Sequence, residues 1–129
     1  MRIDHIAIWT QHLEKMKRFY EYYFGGKAGE KYLNPRKNFE SYFVEFDSGT
    51  RLELMEKLEV DAKLHDDVEN YLGITHFAIS TGDRSKVDHL TEQLRSDGYK
   101  VIGEPRVTGD GYYESVVLDP DGNKVEIME

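Results

Sequence analysis

Two histidines and two glutamates stand at matched places in this chain: His5 and Glu53 in the first half, His76 and Glu126 in the second. His5 precedes Glu53 by 48 residues, and His76 precedes Glu126 by 50. Imidazole nitrogens and carboxylate oxygens are donors for divalent ions, and two of each form an N₂O₂ set able to hold one. For one His or one Glu alone, the ordinary reading is a residue shown to water on an open sheet face. Four at repeat-matched positions are harder to read that way.

The elements that must position them repeat as well. DHIAIWT at 4–10 matches THFAIST at 75–81, and FDSGTRLELME at 46–56 matches LDPDGNKVEIME at 118–129. Strand side chains alternate. His5 therefore shares a face with Ala7 and Trp9, and His76 shares one with Ala78; Ile6 with Ile8, and Phe77 with Ile79, take the other. Glu53 and Glu126 alternate in the same way with Leu52 and Leu54, and with Val125 and Ile127. The apolar pairs can pack under a helix. The ligand-type residues then face the concave side of a curved sheet, where the alanines leave room.

Between these strands the first half reads as a helix capped by Thr10, with Leu13, Met16, Tyr20, Tyr23 and Phe24 at helical spacing and Gly25-Gly26 as its stop. Residues 27–38 read as a loop with a short strand near 31–33; 39–47 is a strand, 48–49 a turn and 50–56 the next strand. In the second half Asp83 or Ser85 caps a helix carrying Val87, Leu90 and Leu94, closed by Gly98. Strands follow at 99–102, 114–118 and 124–128, with a glycine-bearing mobile loop at 107–113 tipped by Tyr112 and Tyr113. Each half is β-α-β-β-β, and a repeat of about seventy residues is too long for a solenoid. The expected class is α+β: two tandem βαβββ modules forming a cupped mixed sheet with helices on the outside. The expected organisation is one domain over 1–129, with module one at about 1–57, a charged linker at 58–73 and module two at 74–129.

Composition bounds the function. With 129 residues, 39% of them apolar, a core can form without crosslinks, and the absence of cysteine removes disulfides, thiolate zinc sites and cysteine nucleophiles. The formal net charge of −8 opposes phosphate backbones, so nucleic acid is not an expected partner. No apolar run nears the ~20 residues of a membrane span, and the first residues lack the apolar core of a signal peptide, so cytoplasm is expected. His12, His65 and His89 read as surface histidines. Ser80, Ser85 and Ser115 lack a His–Asp arrangement for nucleophilic work, and Gly109-Asp110-Gly111 makes no phosphate loop.

On DHIAI at the start, GITHFAI in the middle and DPDGNKVEI at the end, the chain resembles the vicinal oxygen chelate superfamily, the glyoxalase, bleomycin-resistance and extradiol-dioxygenase group. The likeness covers essentially the whole chain. It implies a glyoxalase I-like lyase or isomerase with His5, Glu53, His76 and Glu126 as metal ligands. The implied ion is Zn²⁺ or Ni²⁺, with Mn²⁺, Co²⁺ or Fe²⁺ also compatible. It implies that Glu126, mirrored by Glu53, moves a proton through a metal-stabilised enediolate of a small oxygen-chelating substrate such as a 2-oxoaldehyde thiol adduct. Trp9, Tyr112 and Tyr113 would contact the substrate, and a homodimer would share its metal sites. Glutathione-using members carry Arg and Asn where this chain has Trp9 and Lys57. Two alternatives come with the resemblance: a methylmalonyl-CoA epimerase-like enzyme pairing Glu126 with Glu45 or Glu40, and a metal-free small-molecule binding protein of the bleomycin-resistance kind.

Overall fold

The structure, a computed structural model, describes residues 3–60 and 73–129. It divides into two compact units, Met1–Lys63 and Leu64–Glu129. Most of the charged linker at 58–73, and His65 within it, lies outside the described residues.

The first unit runs β1 (His5–Trp9), α1 (Leu13–Phe24), β2 (Lys27–Ala28), β3 (Tyr32–Asn34), a 3₁₀ turn (Pro35–Lys37), β4 (Phe39–Glu45) and β5 (Arg51–Lys57). Its sheet has the order β1-β5-β4-β2, with β3 also paired to β4. Only the β1–β5 pairing is parallel: α1 carries the chain from β1 to β2 at the far edge, and the antiparallel β4 and β5 bring it back beside β1. The helix starts later than Thr10 suggests. Thr10 is buried, and its Oγ1 accepts from the His12 amide at 2.8 Å, so it shapes the approach instead of the cap. The Leu13 amide donates to Glu56 Oε2 of β5 at 3.2 Å, so a neighbouring strand supplies the acceptor that the local sequence does not. At the other end Gly25 closes α1 with φ 66°, a left-handed conformation that glycine tolerates.

The second unit runs β6 (His76–Ser80), α2 (Arg84–Ser96), β7 (Val101–Val107), β8 (Tyr113–Leu118) and β9 (Lys124–Met128). Its order, β6-β9-β8-β7, repeats the first sheet, again with one parallel pair beside the crossover helix. Asp83 caps α2, its carboxylate accepting from the Ser85 and Lys86 amides. The strand expected at 99–102 is longer and starts later: β7 continues through Pro105 to Val107. It can do so because β7 is an edge strand with register shifts at Gly103 and Arg106, where a missing donor costs little. The loop at the β7–β8 turn is correspondingly shorter than 107–113.

In each unit the helix covers one sheet face. Leu13, Met16, Phe19 and Tyr20 of α1 are buried with Val44, Leu52 and Leu54 of the first sheet. Val87 and Leu94 of α2 are buried with Val117, Val125 and Ile127 of the second. Each such side chain contributes about 1.5–3 kcal/mol by leaving water. Both units are α+β with the helix outside, as two βαβββ modules require. No helix among the described residues is long and apolar enough to cross a membrane.

Candidate functional site

The sheet faces away from the helices carry the candidate residues. In the first unit His5 pairs in register with Arg51, Ala7 with Glu53, and Trp9 with Met55, so these residues share one face. Phe43 lies opposite Glu53 on the other side of β5 and joins them. His5 Nε2 lies 3.6 Å from Glu53 Oε2. In the second unit the register is the same: His76 with Lys124 and Ala78 with Glu126. There His76 Nε2 lies 3.3 Å from Glu126 Oε2. Each module thus brings its own His and Glu together. The glutamate side chains are 20% and 19% exposed and the imidazoles 39% and 44%, so the carboxylates are sheltered while the rings remain reachable.

The donors fit a divalent ion. Each imidazole has Nδ1 engaged elsewhere, His5 with Asp4 Oδ1 at 3.0 Å and His76 with Thr75 Oγ1 at 2.9 Å. That leaves Nε2 directed at a carboxylate oxygen, the arrangement in which metal-ligating histidines are found. Among the described residues no group of three or more His, Asp or Glu is gathered as a metal cluster; each module has its pair. Burial, the largest cause, pushes the Glu126 carboxyl above the ordinary glutamate range. The nearby Glu114 charge adds to this, and His76 and Arg106 oppose it. Glu114 is buried on the same face as Glu126, with Arg106 Nη2 at 3.5 Å. Neither residue stands out in the sequence, since only the β8–β9 and β7–β8 registers put them there.

The other expected residues are distributed more widely. Trp9 is 45% exposed on the His5 face, edge to face with Phe39 at 6.1 Å, and Phe39 in turn meets Tyr32 at 6.0 Å. Tyr112 is exposed in the β7–β8 turn, which Thr108 Oγ1 holds by accepting from the Tyr112 amide. Tyr113 is elsewhere than expected. Its hydroxyl donates to Asp88 Oδ1 of α2 at 2.6 Å and Arg84 covers its ring, so it packs on the helix face, opposite to Glu126. Tyr113, the first residue of β8, shares the helix-side face with Ser115 by strand alternation, whereas Tyr112 belongs to the turn. Glu40 likewise points to the helix side, paired with Lys31, which also reaches Glu14 of α1. Glu45 lies on the Glu53 face and borders a cleft of about 500 Å³ together with Lys27, Gly29, Phe43, Phe46 and Arg51. Ser115 is buried and bonded to Thr91 at 2.7 Å, a helix-to-sheet contact and no nucleophile. The DPDGN segment is a turn held by Asp119, whose carboxylate accepts from the Asp121 and Asn123 amides.

Known proteins share this arrangement of strands. Glyoxalase I from Zea mays is 27% identical with a TM-score of 0.78, over 98% of this chain and 44% of its own. The trypanothione-dependent glyoxalase I of Leishmania major is 26% identical with a TM-score of 0.78, over 100% of this chain and 86% of its own. An uncharacterised Bacillus subtilis (strain 168) protein, YqjT, is 37% identical over 60 residues, 44% of this chain. That match spans 47% of YqjT, so about half of the curated relative is covered. Residues 2–127 match the family model of the Glyoxalase/Bleomycin resistance protein/Dioxygenase superfamily. Since that match spans nearly the whole chain and takes in both His–Glu pairs, the chain belongs to the glyoxalase/bleomycin resistance protein/dioxygenase superfamily.

Proposed function

We propose that this chain is a metal-dependent lyase or isomerase of the glyoxalase I kind. Its substrate is a small molecule with two adjacent oxygens, such as the adduct of a 2-oxoaldehyde and a thiol. The observation that carries this reading is one contact made twice: imidazole Nε2 against carboxylate oxygen, at 3.6 Å in module one and 3.3 Å in module two. In this reading His5, Glu53, His76 and Glu126 are the ligands of one divalent ion, Zn²⁺ or Ni²⁺ before Mn²⁺, Co²⁺ or Fe²⁺. The set is completed across a homodimer, with the first pair of one chain meeting the second pair of another. Cytoplasmic location and action of 1–129 as one domain belong to the same proposal.

When bound, the ion supplies Lewis acidity to the substrate's chelating oxygens and offsets the charge that develops as the neighbouring C–H bond breaks. The remaining work falls to side chains. Glu126 takes the proton from one carbon and returns it to the next, so the isomerisation balances without a further reactant. Its side chain is 19% exposed beside His76, so it shelters the proton from water between the two transfers. Glu53 mirrors it from the other module. Trp9 and Tyr112, both exposed, contact the substrate; Tyr113, turned to α2, does not. Trp9 and Lys57 stand where glutathione-using members carry Arg and Asn, which favours a different thiol.

The test begins with metal analysis of untagged protein, where about one divalent ion per chain is expected for a four-donor set shared in this way. Protein with no measurable affinity for any of these ions would remove the reading. A screen of hemithioacetals made from different thiols, with methylmalonyl-CoA beside them, then identifies the substrate. One observation favours a second reading. The row of rings Tyr32, Phe39 and Trp9 on the His5 face suits a flat ligand held without chemistry, as in a binding protein of the bleomycin-resistance kind. Tight binding of planar aromatics by metal-free protein, without turnover, would select it. The epimerase alternative retains Glu45 and loses Glu40, which faces α1.

A further inference from the structure

The two modules repeat the His–Glu pair but not what surrounds it. In module one the partner of His5 Nδ1 is a carboxylate, Asp4. Carboxylates only accept, and of the two that face this ring Asp4, at 3.0 Å, is within hydrogen-bond distance while Glu53, at 3.6 Å from Nε2, is not, so in the neutral ring the single hydrogen sits on Nδ1. Asp4 is itself held. The Arg51 guanidinium ion-pairs with its carboxylate, and the Arg51 amide donates to its carbonyl at 3.2 Å. The same guanidinium lies over the Phe43 ring, 4.5 Å from its centroid, and Phe43 meets the His5 ring edge to face at 5.3 Å. Asp4, Arg51 and Phe43 therefore close a loop that grips the imidazole at one nitrogen and on one side.

Module two replaces every part of that loop. By register, Lys124 stands where Arg51 stands, and Val116 stands where Phe43 stands. Thr75 takes the place of Asp4. A hydroxyl both donates and accepts, so Thr75 serves either tautomer of His76. Val116 offers no ring, and an ammonium lacks the planar fork that lets arginine pair and stack at once.

We propose that Asp4, clamped by Arg51, is a positioning residue that fixes His5 in the Nδ1–H tautomer before any metal arrives, so that the two half-sites are inequivalent: module one is preorganised and module two is not. This rests on the reading of His5 and Glu53 as half of a metal site, and its test separates the two claims. In metal-free protein, ¹⁵N shifts of the rings followed to alkaline pH report the tautomers directly. His5 is expected as one Nδ1–H form and His76 as an exchanging mixture. Asp4→Ala should turn His5 into a mixture, and Arg51→Gln should do so in part, while Thr75→Ala leaves His5 unchanged. Zn²⁺ affinity, measured by chelator competition, should fall about 10–100-fold in Asp4→Ala, as loss of an outer hydrogen-bond partner does elsewhere, and less than about threefold in Thr75→Ala. Asp4 and Arg51 are partly exposed, and circular dichroism verifies that each variant is folded. A tautomeric mixture at His5 in the wild type overturns the proposal and leaves the metal reading standing. Equal losses of affinity from Asp4→Ala and Thr75→Ala overturn the inequivalence. The expected tautomers in a wild-type protein that binds no metal overturn the metal reading, and with it the role given to Asp4.

Discussion

Glu126 is the residue on which the proposed chemistry turns, and its environment makes two measurements informative. Burial raises its proton affinity, so in the metal-free protein its charged form is the costly one. Below the ordinary glutamate pKa near 4.3 the carboxyl is protonated whether folded or unfolded, and there is no penalty. As pH rises through the elevated folded value, the folded state loses stability relative to the unfolded chain. Glu126→Gln should therefore raise the melting temperature of metal-free protein at pH 7, with the gain shrinking towards pH 4. A variant no more stable than wild type at pH 7 contradicts the assigned burial. The same substitution should lower turnover, and the exchange of substrate protons in deuterated buffer, by about 10²–10⁴ while the far-ultraviolet spectrum is kept. Unchanged exchange would dismiss Glu126 as the base. All four ligand candidates could be found in the sequence because they recur. Asp4, Arg51, Phe43, Glu114 and Arg106 could not, because what makes them matter is a neighbour on another strand.

The elements hold these residues through contacts that can be tested singly. Gly26, just past α1, approaches β4 so closely that an added Cβ would lie 2.5 Å from Val44 Cγ1. Gly26→Ala should destabilise by about 1–3 kcal/mol, the usual cost of overpacking, read from urea unfolding; Val44→Ala in the same background should recover part of it. At the start of α2, hydrogen bonds from the Ser85 side chain, and then from the Lys86 and Ser85 amides, hold Asp83 below the ordinary aspartate range. That stability is present above the unfolded pKa near 3.9 and is lost as pH falls through the lower folded value. Asp83→Ala should thus depress the melting temperature at pH 6, with the deficit shrinking as pH falls below the unfolded value. The Asp83 cap is legible locally, since acceptor and donors lie within three residues. The start of α1 is not: its acceptor, Glu56, is 43 residues away. The reach of β7 through Pro105 is not legible for a similar reason, because whether a proline breaks a strand depends on whether that strand is central or at an edge.

At the scale of the whole molecule, the proposal requires that two His–Glu pairs come together on one ion. Light scattering should report a dimer, and a monomer that binds metal at full stoichiometry would overturn the shared-site arrangement. Treatment with a chelator should abolish proton exchange and lower the melting temperature, since an ion bound only by the folded state stabilises it by mass action. Restoring Zn²⁺ or Ni²⁺ should return both.

By itself the sequence determined the module plan, the helix-facing apolar pairs and the two His–Glu pairs. These follow from alternation along a strand and from repetition along the chain, both of which are local or countable. Tertiary structure alone decided that Tyr113 and Glu40 turn to the helices, that Arg51 clamps Asp4 beside His5, and that Glu114 shares the face of Glu126. Those facts depend on register and on which strands are neighbours. Pairing over long separations sets both, and a shift of one residue would send each of these side chains to the opposite face.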